Sequence, residues 1–473
     1  MCEHDRPNIL LVHADQHRYD CVGANGHSLV ETPAIDRLTN QGTNFEHAYT
    51  PIPICSPERA SLMTGQWPNG HGTYSHVGAP GGSPLTTEAP TFAEVAQNAG
   101  YATSYVGRWD LGHEERGGPE AFGFDAWIPN SRYAEWREAH GLPERPGSEN
   151  GWFGQPDTAI TVEQSRLAWA ARQTLEQLEE LAGSETPFLL RWDTFEPHLP
   201  NVVPEPFASM YDPEVLDPWG SFDDPLTDKP YAQRQVRRNW RIEGLEWEEW
   251  APTVARYLGE ISLLDQQLGR VLDRLDELGI ADETIVVYTA DHGDMCGSHG
   301  MIDKHFNMYD DVMRVPLLAR GPGIPVGETR DDFVSHALDV AATICASTSG
   351  SVPDSFDGEP LFDSETDERE EIFATYYGCQ QGLYHSRMLR DHEWKYVWNP
   401  TAIDELYNLR EDPWERTNLA VDPGATEPIL EDMRRRMLAW IQTTGDDLNN
   451  PWAAGQLAED AWVWDGPGGG QRS

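Results

Sequence analysis

Asn8-Ile9-Leu10-Leu11-Val12-His13-Ala14-Asp15-Gln16 is a short apolar run that ends at an acid. A second run, from Thr284 to Ala290, ends in the same way at Asp291-His292-Gly293-Asp294. Outward from these two, strand-like runs at residues 102–106, 188–192 and 316–319 alternate with helical patterns at 33–41, 91–98, 162–181 and 254–278. That alternation specifies an α/β fold, a central and mostly parallel sheet flanked by helices. In open sheets of this kind ligands sit at the carboxyl ends of the strands, so acids at two such ends can converge. Asp15, Asp291 and His292 would together offer a divalent cation two carboxylates and an imidazole, a set suited to calcium, magnesium or manganese. Either aspartate taken alone reads better as the cap of the next helix.

A chain of 473 residues is long enough for one large domain and a smaller one. Around residues 350–363 the composition turns to Ser, Gly, Pro and Asp, which places the boundary near residue 360. Beyond it, strand-like pieces at 387–390 and 395–398 precede a helical stretch at 427–443. Residues 361–464 therefore read as a small C-terminal α+β subdomain, and the Gly-rich residues 465–473 as a disordered tail. Two loop-rich segments, 141–157 and 211–250, have the character of insertions over one end of the sheet.

The charge excludes whole classes of partner. Against 79 Asp and Glu stand 34 Lys and Arg, a net charge of −45, so nucleic acid and anionic membrane surfaces would be repelled. Hydrophobic residues still make up 39% of the chain, enough for a large core. Lys229, Lys304 and Lys395 are the only lysines, and an acidic chain nearly free of lysine resembles proteins of salt-accumulating halophiles. Six dispersed cysteines form no CxxC pair, which suits a reducing compartment and gives no zinc site. The first strand follows directly on Pro7 and no apolar run reaches membrane-spanning length, so a cytoplasmic location is expected.

Between the two acidic strand ends lies Cys55-Ser56-Pro57-Glu58-Arg59-Ala60-Ser61-Leu62-Met63-Thr64-Gly65. Pro57 fits the first turn of a helix, which puts the positive end of the helix dipole beside residue 55. Arg59, one turn along, shares the face of Cys55. A lone cysteine in such a place is ordinarily a small buried hydrophobe.

The spacing Cys-x-Pro-x-Arg, with Thr-Gly five residues after the Arg, resembles the signature of the sulfatase family in the alkaline-phosphatase-like superfamily. Further matching segments follow in family order: residues 8–16, 32–38, Gly107-Arg108-Trp109-Asp110-Leu111-Gly112, Pro197-His198, residues 290–304, Arg314-Val315-Pro316-Leu317 and Leu406-Tyr407-Asn408-Leu409. The resemblance implies a catalytic domain over residues 1–360 that hydrolyses a sulfate ester, with a small-molecule or carbohydrate alcohol as leaving group. It implies that a separate maturation enzyme oxidises Cys55 to formylglycine. The hydrated aldehyde then attacks sulfur through one hydroxyl, and the other hydroxyl lets the sulfated intermediate collapse. By the same resemblance the metal is held by Asp15, Asp291, His292 and the modified Cys55. Calcium is the family default, with manganese or magnesium as alternatives, and Ala14 stands where many relatives carry a further Asp.

Among the matching positions, Arg59 is implied to steady the nucleophile, His198 to contact the substrate and protonate the leaving oxygen, and Lys304 to bind a sulfate oxygen and donate a proton. One motif departs from the family pattern. Arg108 and Asp110 occupy positions where relatives commonly have Lys and His. Arg108 keeps a charge that can grip two oxygens, whereas Asp110 would repel a sulfate unless it is paired, acts as a base or meets a cationic group. His13, His17, His71, His299 and His305 read as structural, and His113 as a surface residue. Arg234, Arg237, Arg238 and Arg241, with Trp240 and Trp247, would either contact an anionic sugar-like substrate or pair with neighbouring acids. Two other readings stay open: a phosphodiester or phosphonate monoester hydrolase on the same machinery, and an inactive binding homologue in which Cys55 remains a thiol.

Overall fold

The computed structural model describes residues 6–86, 89–147, 153–363, 368–379 and 381–458. The Gly-rich tail read as disordered lies outside the described residues. The strands are β1 (Asn8–Asp15), β2 (Thr43–Tyr49), β3 (Ala102–Gly107), β4 (Ala126–Pro129), β5 (Gln155–Pro156), β6 (Phe188–Pro197), β7 (Val202–Val203), β8 (Thr284–Ala290), β9 (Leu317–Arg320), β10 (Glu328–Ser335), β11 (Glu371–Cys379), β12 (Gly382–Asp391), β13 (Trp394–Trp398) and β14 (Glu405–Asn408). Eight of them form the main sheet in the order β10-β2-β9-β8-β1-β6-β3-β4. Within it only β9 runs antiparallel to its neighbours, so the sheet is mostly parallel, as the alternation of elements requires. β1 and β8 are buried on both faces, which is why they read as unbroken apolar runs.

Helices cover both faces. Pro33–Gln41, Arg166–Ala182 and Trp247–Leu278 pack together on one side; Cys55–Thr64, Phe92–Asn98 and His336–Ser349 pack on the other. The sheet and these helices share one core that includes Leu10, Val12, Leu190, Val286, Leu268 and Val340. Two helices differ from the sequence expectation. The pattern at 162–181 is broken at Ser165, whose extended backbone and side-chain bond to the Ala168 amide start a new helix at Arg166. The helix expected from residue 254 begins at Trp247, because Glu246 and Glu249 form a capping box and Pro252 is carried inside the helix. The segment 211–250 accordingly contains a helix, Tyr231–Trp240, as well as loops.

The C-terminal region is a four-stranded antiparallel sheet, β11-β12-β13-β14, with helix Glu427–Thr444 across it. Leu389, Tyr396, Trp398, Leu430 and Met437 form the core between them. No described helix is long and apolar enough to cross a membrane.

Candidate active site

Four neighbouring strands, β8-β1-β6-β3, end side by side, and each delivers part of one cluster. β1 ends at Asp15, β8 leads into Asp291 and His292, β6 carries Asp193 and leads into His198, and β3 leads into Arg108. Helix Cys55–Thr64 points its N-terminus at the same place. Gly107 makes the β3 end possible. Its φ is +121°, and a Cβ there would lie 1.8 Å from the Asp193 carbonyl oxygen, so only glycine lets the Arg108 segment run this close to β6.

At the centre, Asp15, Cys55, Asp291 and His292 are all buried, and one ligand atom of each lies within 4.8 Å of the others. Cys55 Sγ is 3.3 Å from His292 Nε2 and 3.7 Å from Asp15 Oδ1. His292 donates its Nδ1 proton to the Gly293 carbonyl at 2.8 Å, which leaves the Nε2 lone pair facing the cluster. Burial brings this imidazole down to about 4, so it is neutral, the form that ligates metals. Asp15 is held ionised: burial opposes it, but Arg108, Arg59 and Lys304 outweigh burial and lower its pKa. The donor chemistry thus fits a divalent cation.

A ring of cations and their partners surrounds these donors. Arg59 bonds Asp15 at 3.1 Å, Asp291 at 3.4 Å and Asp193. It therefore clamps three carboxylates around the nucleophile position. Gln16 donates its backbone N–H to Asp291 Oδ1 at 2.9 Å, and its Oε1 accepts from Lys304 at 3.2 Å. Lys304 Nζ also reaches Cys55 Sγ at 3.2 Å and His198 Nε2 at 3.0 Å. His198 gives its Nδ1 proton to the Leu199 carbonyl at 2.5 Å, and burial, Lys304 and Arg108 keep it neutral. The proton-bearing group on that side is the Lys304 ammonium.

Asp110, the departure in the sequence, is paired rather than free. Burial would raise its pKa, but Arg108 and His76 together take it well below the carboxylate range. Its Oδ2 accepts from Ser56 at 2.9 Å and from Arg108 at 3.1 Å, and His76 lies 3.7 Å away. Arg108 bridges Asp110 to Asp15, and Ser56 also accepts from the Val77 amide at 3.3 Å. The negative charge next to the anion site is thereby answered on three sides.

Two contributors escaped the sequence reading. Asp193 is buried and receives Arg59, Arg191 and Tyr105; the signal was the third apolar run to end at an acid, Leu189-Leu190-Arg191-Trp192-Asp193. His76 sits on a loop with no periodicity to mark it. The other histidines have local partners: His17 with Tyr288, His71 with Ser61, His299 with Asp224 and His113 with the Leu85 carbonyl. Of the arginine cluster, Arg237 is spent on the His299 and Asp224 carbonyls, while Arg238 lies 3.6 Å from Glu243 at the surface.

Comparison with known proteins agrees with this geometry. The sulfatase family model matches residues 7–350, and the model of the N-sulphoglucosamine sulphohydrolase C-terminal region matches residues 297–443. The chain belongs to the sulfatase family. This sulfatase is 29% identical to the uncharacterised sulfatase YidJ of Escherichia coli (strain K12), across 97% of its own length and 90% of the relative's. It is equally 29% identical to an arylsulfatase of Clostridium perfringens (strain 13 / Type A), across 92% and 94% of the two chains. The phosphonate monoester hydrolase of Agrobacterium radiobacter superposes with a TM-score of 0.79 at 26% identity, covering 93% of this sulfatase and 96% of that chain. Family and fold together make this sulfatase a sulfuric ester hydrolase of the alkaline-phosphatase-like superfamily.

Proposed function

We propose that this sulfatase hydrolyses a sulfate monoester with Cys55, matured to formylglycine, as the nucleophile beside a divalent cation held by Asp15, Asp291 and His292. The observation that carries the reading is the position of Cys55: it lies at a helix N-terminus, amid three metal-type donors, with Lys304 in contact. When bound, the cation supplies the charge that draws in the ester, and the hydrated formylglycine supplies the attacking hydroxyl.

The chain's own residues do the rest. Arg108, braced by Asp110, offers a planar donor pair for sulfate oxygens. Lys304 holds another oxygen and delivers a proton to the departing alcohol, and His198 orients that ammonium through its Nε2 lone pair. Arg59 and Gln16 fix the ligand carboxylates, so the donors need not reorganise during turnover. Calcium is the first cation to test, then manganese and magnesium. The leaving alcohol belongs to a small molecule or a carbohydrate.

A second reading keeps this machinery and exchanges sulfur for phosphorus. Ala14 in place of a further acid and the likeness to the phosphonate monoester hydrolase both favour it. Peptide mass spectrometry across Cys55, on protein from its own host in high salt, tests the nucleophile. A mass matching an aldehyde supports it, and an intact thiol in turnover-competent protein overturns it. Sulfate, phosphonate and phosphodiester esters of one phenol then separate the two readings by which ester turns over fastest.

A further inference from the structure

The segment carrying Lys304 is held by residues that take no part in the chemistry so far described. Asp303 and Phe306 both have left-handed backbones, with φ +67° and +58°, which non-glycine residues seldom adopt. The turn is tied down by the Asp303 amide on Asp294 Oδ1 at 3.0 Å and by the Met295 amide on the Asp303 carbonyl at 2.9 Å. The Asp303 carboxylate thereby comes to lie beside the ammonium of the next residue, with Oδ1 3.3 Å from Lys304 Nζ. Its other oxygen, Oδ2, is 2.7 Å from His305 Nε2, and His305 Nδ1 is 2.9 Å from Cys379 Sγ. The Trp240 ring lies parallel to the imidazole at 6.2 Å. All three members of the chain are buried.

We propose that Cys379, His305 and Asp303 are positioning residues for Lys304, a buried thiol–imidazole–carboxylate chain that fixes the ammonium over Cys55. This rests on the reading above in which Lys304 acts on the ester. The three N–H directions of Lys304 are committed to Gln16, Cys55 and His198, and an ester that binds must take over at least one of them. Through that exchange the Asp303 carboxylate is what keeps the ammonium in place, so its own orientation has to be fixed. His305 does this from one side of Asp303 and is itself fixed by Cys379, the last residue of β11 in the C-terminal sheet. A lone imidazole could rotate; one bonded at both nitrogens cannot, the logic by which a third group orients a catalytic base. Burial alone would lower His305, yet Asp303 and Cys379 carry it up to about 10, which keeps both nitrogens donating.

The test compares Cys379→Ala, Cys379→Ser and His305→Gln with the parent enzyme in high salt. Loss of the chain is expected to lower kcat on the order of tenfold in Cys379→Ala and His305→Gln, with KM little changed. Cys379→Ser, whose hydroxyl can still bond Nδ1, should recover most of the loss. An unchanged kcat in Cys379→Ala overturns the proposal, as does a Cys379→Ser enzyme as slow as the alanine variant. A readout independent of turnover is a low-field proton resonance from the His305–Asp303 bond, present in the parent, displaced in Cys379→Ala and absent in His305→Gln. If the parent turns over neither sulfur nor phosphorus esters, the reading of the site fails while that resonance still tests the chain. A parent protein without the resonance overturns the chain even if the enzyme is active.

Discussion

Lys304 is one of three lysines, and all three are buried. Lys229 is paired with Asp224 at 2.8 Å, and Lys395 with Asp310 and Glu415 at 2.5 and 2.7 Å. Retention of lysine in this arginine-rich chain therefore marks the interior first, although the interior also holds buried guanidiniums at Arg18, Arg59, Arg191 and Arg387. What sets Lys304 apart is its partners, an imidazole lone pair and the Cys55 side chain. Lys304→Arg keeps the charge but loses the transferable proton, so kcat on an alkyl sulfate should fall by about 10²–10⁴. On an aryl sulfate with an acidic phenol the leaving group needs little help, and the loss should be much smaller. Rate measurements on such a pair decide it, and equal losses would make Lys304 a binding group only. At this scale the sequence marked the residues that sit at fixed distances from a recognisable spacing: Asp15, Cys55, Arg59, Asp291, His292 and Lys304. It missed Asp193, although the run at 188–192 was legible, because no recognisable spacing follows that acid, and His76 because a loop carries no period. Asp110 was visible, yet its pairing with Ser56 and His76 depends on a fold that joins residues 54 and 34 positions away.

At the level of elements, the site depends on how closely strand ends can approach one another. Gly107 closes β3 against the Asp193 backbone of β6, with an added Cβ only 1.8 Å from the Asp193 carbonyl oxygen. Gly107→Ala should accordingly destabilise the protein by about 2–4 kcal/mol, combining left-handed strain with overpacking. Arg108 directly follows β3 and Asp193 lies on β6, the two strands forced apart, so activity should fall further than the folded fraction does. Thermal melts and specific activity of the soluble protein, measured together, check this; an alanine variant that melts like the parent would show that β3 can retreat. The central strands were legible for the same reason that they hold the site: β1 and β8, buried on both faces, leave no polar residue to break the run. β10 (Glu-Thr-Arg-Asp-Asp-Phe-Val-Ser) went unread because at the sheet edge its first polar residues are exposed, and β2 (Thr-Asn-Phe-Glu-His-Ala-Tyr) because polar residues interrupt its apolar pattern even though Thr43 and Asn44 are buried. The Trp247 helix start was hidden by Pro252, which a sequence reading takes as a breaker.

For the molecule as a whole, the net charge of −45 is carried on a surface without lysine. Salt screens self-repulsion on that scale beyond a distance of about 10 Å at 0.1 M and about 3 Å at 1 M. The melting temperature should therefore climb as potassium chloride is raised across that range, and a flat or falling curve would mean that the acids are already balanced within the fold. A local contribution can be isolated from this background. Asp265, inside helix Trp247–Leu278, accepts from the Ala34 and Ile35 amides at 3.0 and 2.8 Å and so caps helix Pro33–Gln41. Burial raises its pKa from 3.8 to about 7, against the two amide bonds that lower it. The folded state then holds this proton where the unfolded state has released it, so the stability it contributes is full below about pH 4 and drains away as pH rises to about 7. Asp265→Asn cannot titrate, while both proteins carry almost the same remaining charge. The difference in melting temperature between parent and variant, taken in high salt at pH 5 and pH 8, should therefore move in favour of the asparagine protein at the higher pH. A difference that stays constant, or moves the other way, would show that the helix amides hold Asp265 ionised throughout, with the helix dipole outweighing burial.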